Sequence, residues 1–161
     1  MAVAIGLVGL AVVVLRSIFP APDHASLSPL QPWPAGVGVA ADQYTGCNYA
    51  GPEPKYETRF VILDVHAPSE TQAVAMLARH VRSAGFTLGP PRANDYLAEW
   101  VSYVGKGHGD RVWLGTDARF RAYADANGIS DEGIVYGSSL KGIAPPSSQR
   151  LVFRIEPDES C

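Results

Sequence analysis

Residues Thr58 to Gly85 constrain the fold more than any other stretch, because an apolar alternating run passes directly into a helix whose two ends are set by local chemistry. Over Arg59 to His66, a period of two puts Val61, Leu63 and Val65 on one face and Phe60, Ile62, Asp64 and His66 on the other. The first face is β-branched and apolar, the kind that a helix covers. Ser69-Glu70-Thr71-Gln72 forms a capping box, in which the Ser69 hydroxyl accepts from the Gln72 amide and Glu70 adds negative charge to the first turn. Arg79, His80 and Arg82 complement the carbonyl end, and Gly85 suits the left-handed residue that closes it. The spacing of Val74, Leu77 and Val81 then predicts a helix over about 70 to 84.

Everything before this unit reads as anchor and tether. Residues 1–15 carry no charged side chain, and with Ser17, Ile18 and Phe19 the run approaches the roughly 20 residues that cross a bilayer core. Residues 1–19 are therefore expected to be a single-pass membrane anchor. A cleaved signal peptide is the alternative, although the run has no basic start and no convincing small-residue cleavage site. Arg16, just past the run, favours a cytoplasmic domain by the positive-inside rule, whereas the two cysteines favour an oxidising compartment. On balance the domain is expected outside the cytoplasm. Residues 20–55 hold seven prolines among Ala, Ser and Gly, and no helical or strand period survives, so they are expected to be a semi-extended tether.

Residues 56–161 are expected to form one α+β domain. Residues 96–104 fit either a helix or a strand, and the glycine-rich turn Gly105 to Asp110 favours a hairpin with Arg111 to Leu114. Thr116 or Asp117 caps a second helix that buries Phe120 and Tyr123, and Gln149 to Ile155 alternates as a half-buried strand. The resulting order, β-α-β-β-α-β, suggests a ferredoxin-like sandwich with two helices on one face of an antiparallel sheet. The last strand would lie antiparallel beside the first. That topology would bring Cys47 near Cys161, and a disulfide between them would contribute about 4–5 kcal/mol in the chain-entropy model.

Composition narrows function by exclusion. A net charge of −3 with no basic cluster argues against nucleic acid as a partner, and no glycine-rich segment has the spacing of a nucleotide loop. No cofactor is implied. Asp64 and His66 on the strand, with His108 and Asp110 in the glycine turn, are the only residues whose types suit a zinc site or acid–base chemistry. Polar groups on an outer sheet face are the plainer reading of them. The face without helices carries Phe60 and Ile62, which with Val152 are expected to present an apolar patch to a protein partner or to a second copy of the chain. Three functions follow: a membrane-tethered, non-enzymatic domain that binds a protein as an accessory subunit of a membrane complex; a hydrolase or metal-dependent enzyme built on the four Asp and His residues; and a small-molecule sensor or carrier with a pocket between the sheet and residues 129–148. The first is expected.

The frequent Ala, the use of Arg over Lys, the Pro-rich stretch and a Cys ahead of Arg59-Phe60-Val61-Ile62-Leu63 together resemble the plan of small membrane-anchored or secreted proteins of high-GC Gram-positive bacteria, whose function is unknown. The resemblance implies location and an interaction role. It carries over no functional residue.

Overall fold

The structure, a computed structural model, describes residues 23–47, 56–91, 99–126 and 148–158. Residues 1–19, Cys161 and nearly all of 129–148 lie outside the described residues, so the anchor, the disulfide and the sensor pocket lie outside them too. Among the described residues no helix is long and apolar enough to cross a membrane.

The fold is α+β, with one largely antiparallel sheet and two helices. In chain order the elements are β1 (Asp23–His24), a 3-10 turn (Ser28–Leu30), β2 (Val37–Cys47), β3 (Tyr56–His66), α1 (Glu70–Ser83), β4 (Thr87–Gly89), β5 (Val101–Gly107), β6 (Asp110–Thr116), α2 (Asp117–Ala126) and β7 (Ser148–Pro157). The antiparallel strands run β2-β3-β7-β6-β5-β4, and β1 adds a two-residue parallel pairing to the start of β3.

The strand–helix unit forms as its caps require. Ser69 Oγ accepts from the Gln72 amide at 3.3 Å, and Gly85 follows the helix at φ 93°. Segment 96–104 resolves as a strand from Val101 onward, and the hairpin turns through His108 and Gly109, both at positive φ. Two successive left-handed residues make the turn whose twist matches its flanking strands. Asp117 opens α2 after Thr116, whose Oγ1 accepts from the Arg119 amide at 3.4 Å.

The strand order differs from the ferredoxin-like arrangement. β7 does pair antiparallel with β3, but it lies between β3 and β6, so the first and third strands of the expected pattern are not neighbours. The helices also lie on opposite faces. Val61, Leu63 and Val65 pack with Leu77, Ala78 and Val81 of α1, whereas Phe60, Ile62 and Val152 pack with Phe120 of α2, together with Trp100 and Trp113. The physical cause is legible in the central strands. Phe60 to Leu63, Val112 to Leu114 and Leu151 to Phe153 are continuous apolar runs, and such runs need cover on both sides.

Residues 23–47 of the expected tether are part of the domain, and the rest of that stretch lies outside the described residues. Ala25, Leu27 and Leu30 are buried in the α1-side core, and Trp33 packs edge-on to Phe153 with ring centroids 6.1 Å apart. His80 Nε2 lies 2.8 Å from the Leu30 carbonyl and fixes this segment to the last turn of α1. The chain then continues into β2, which pairs with β3 along its whole length, with a bulge at Ala40. The domain therefore begins no later than Asp23, well before residue 56.

Candidate functional site

The residues singled out in the sequence do not converge. Asp64 holds Arg150 across β3 and β7, with Nε to Oδ1 at 2.8 Å and Nη2 to Oδ2 at 3.2 Å, so its carboxylate is committed to an ion pair. His66 is exposed at the end of β3, where its amide donates to the Gly36 carbonyl at 2.7 Å. His108 lies at the tip of the hairpin, with Nε2 2.6 Å from the Ala84 carbonyl and its ring edge-on to Phe86. This contact joins the hairpin to the C-terminal end of α1. Asp110 is buried, and burial pushes its carboxyl up against the opposing pull of the Ser26 amide and of His108.

Distance rules out a shared ligand for these four. Asp110 pairs with Pro157 while His66 pairs with Ser148, so the two ends are separated by nine residues of β7. That is roughly 30 Å at about 3.3 Å per residue. Among the described residues no group of three or more His, Cys, Asp or Glu side chains could hold a metal ion.

The expected apolar patch is likewise corrected. Phe60, Ile62 and Val152 are 5%, 0% and 0% exposed, and α2 lies over them. Ile62 does stand directly opposite Val152, as the fold reasoning required, but in a core rather than on a surface.

Next to that core is a polar cluster that sequence reasoning missed. Arg154 stacks on Trp113, with its guanidinium 4.6 Å from the ring centroid, and lies 5.6 Å from the Phe60 centroid. Its Nη2 donates to Glu156 Oε2 at 2.6 Å, and Thr58 Oγ1 donates to the same oxygen at 3.0 Å. Glu156 is only 3% exposed. Its charge is balanced within the cluster by Arg154, whose Nε is nevertheless buried without a hydrogen-bond partner, so the arrangement is a buried structural ion pair that is incompletely satisfied. Farther along, Asp158 receives Lys106 and Arg111, and these hydrogen bonds hold its carboxyl below the usual range.

Comparison with models of protein families, with curated proteins and with solved structures finds no match. The site must therefore be read from its own geometry.

With both sheet faces covered, the edges become the informative surfaces. β4, at one edge, has three residues and ends in Gly89-Pro90-Pro91, a poor template for further pairing because proline offers no amide. β2, at the other, has eleven residues, and among the described residues it pairs with β3 alone. Val39 and Tyr44, at 49% and 46%, are the large hydrophobic residues that the described surface exposes, and both lie on β2. The strand contains no Lys and no Pro, the residues that usually discourage edge pairing. Its single charge, Asp42, is held by Arg59, with Nε to Oδ1 at 2.7 Å and Nη2 to Oδ2 at 2.6 Å. Arg59 also covers the Tyr44 ring at 4.9 Å, and the bond to Asp42 raises its pKa. An edge of this length and composition can accept a further strand through its backbone, with Val39 and Tyr44 supplying side-chain contacts.

Proposed function

We propose that this chain is a non-enzymatic protein-binding domain that docks its partner along the β2 edge left unpaired among the described residues, and that it is held at a cell membrane by residues 1–19. The observation that carries the reading is the location of the exposed apolar side chains: Val39 and Tyr44 lie on the one long strand edge among the described residues. The membrane placement is supported by the uncharged run of residues 1–15, and an extracytoplasmic position by the presence of two cysteines. A role as an accessory subunit of a membrane complex suits a small domain in which the Asp64 and His108 side chains are engaged in structural contacts. The catalytic alternative loses its support, because His66 and His108 stand at opposite ends of the sheet.

The reading is tested by placing p-benzoylphenylalanine at position 44 of the full-length chain and irradiating intact cells. Adducts with protein in the membrane fraction are expected from position 44. None is expected from the same group at Arg79, which is exposed on α1. Equal or absent crosslinking at the two positions would remove β2 as the docking element.

A further inference from the structure

The β2 edge is self-complementary about Asp42. Ala40 is the extra residue of the bulge, so on the α1 side of the sheet Val39 and Tyr44 each stand one rung beyond an intervening position, equally far from Asp42 in register. We propose that the strand docked on β2 is the β2 of a second copy of this chain, paired antiparallel across a two-fold axis at Asp42. This rests on the reading of β2 as the docking edge.

In that register Val39 of each copy faces Tyr44 of the other, an aromatic and β-branched pair of the kind that stabilises neighbouring strands. The bulged Ala40-Ala41 faces Gln43, Gly38 faces Thr45 and Val37 faces Gly46, so at each of these rungs a small residue meets a larger one. Asp42 faces its own counterpart. Two bare carboxylates there would repel, but each already carries its own Arg59 in a two-point bond. The centre then holds two carboxylates and two guanidiniums with no net charge. Two copies of the sheet become one continuous sheet, with an isologous interface of the sort that closes at a dimer. A single pair of strands is a small interface, near or below the roughly 1,200 Å² of stable complexes. Pairing is therefore expected to depend strongly on concentration and to be favoured where two copies share one membrane.

The test measures self-association of the full-length chain in detergent by sedimentation, from about 1 μM upward, for the wild type, Asp42→Arg, Arg59→Asp and the double exchange. The wild type is expected to dimerise. Asp42→Arg crowds four guanidiniums at the axis and is expected to raise the dissociation constant by roughly tenfold or more. The double exchange restores two opposite-charge pairs and is expected to return to within about threefold of wild type. Val39→Lys, at an exposed position that folding tolerates, is expected to weaken the dimer comparably even if Asp42→Arg fails to fold. A monomer at every concentration, or a dimer indifferent to Val39→Lys and to the charge exchanges, would overturn the proposal. If the position-44 adduct in cells contains a different protein and the purified chain stays monomeric, the docking edge stands and self-pairing falls. If position 44 yields no adduct at all, both fall.

Discussion

Replacing Trp100 with alanine is expected to cost about 3–5 kcal/mol, a large part of the roughly 5–15 kcal/mol that holds a domain of this size together. Trp100 has no solvent exposure and meets Phe120 of α2 edge-on, with ring centroids 4.7 Å apart. Phe120 in turn lies 5.7 Å from Phe60, so Trp100 is the wedge between the hairpin and the helix that closes the second sheet face. The sheet is shaped to receive it. A Cβ on Gly115 would stand 2.3 Å from the Trp100 carbonyl oxygen and 2.6 Å from the ring. The indole Nε1 is buried without a hydrogen-bond partner, so Trp100→Phe removes an unsatisfied donor along with some volume and is expected to cost less than about 1.5 kcal/mol. Urea unfolding of the two variants separates packing from polarity. A Trp100→Ala protein as stable as wild type would mean that the second face is not closed in this way.

Leu30→Ala is expected to cost about 2–5 kcal/mol, although the residue lies in a Pro-rich stretch that reads as a tether. Leu30 is fully buried with Leu27 in the core beneath α1. Its carbonyl is the partner of His80, and because that contact is made by the backbone the substitution leaves it in place. The loss therefore reports the side chain alone. A matched Val39→Ala, at an exposed position of β2, is expected to change stability by no more than about 0.5 kcal/mol. If Leu30→Ala were equally silent, residues 25–36 would be an appendage and the domain would begin near β2.

The contrast between these two segments shows what the residues alone could convey. The first helix was legible because Ser69, Gln72 and Gly85 fix its ends by bonds within a few residues of one another. The hairpin was legible for the same reason, its reversal being concentrated at His108 and Gly109. β2 was not. Gly38, Ala40, Ala41 and Gly46 have little intrinsic preference for strands, and the extra residue at Ala40 interrupts the alternation that begins with Val37 and Val39. The strand exists because β3 offers it an unpaired ladder, which is a tertiary cause. Phe60 and Ile62 read as the outer half of an alternating strand, but the unbroken apolar runs in β3, β6 and β7 require cover on both sides of the sheet. The Asp and His candidates failed on topology, since matching residue types carry no information about which end of a sheet they occupy.

The most direct measurement is residue-resolved amide hydrogen exchange along Val37–Cys47 in dilute full-length protein. Alternate amides of this segment, those directed at β3, are expected to be protected as strongly as β3 itself, while the intervening amides exchange quickly and become protected as the protein is concentrated. Uniformly fast exchange from Val37 to Cys47 would contradict the account, because it would make this stretch the tether that its composition suggests and leave the sheet without its docking edge.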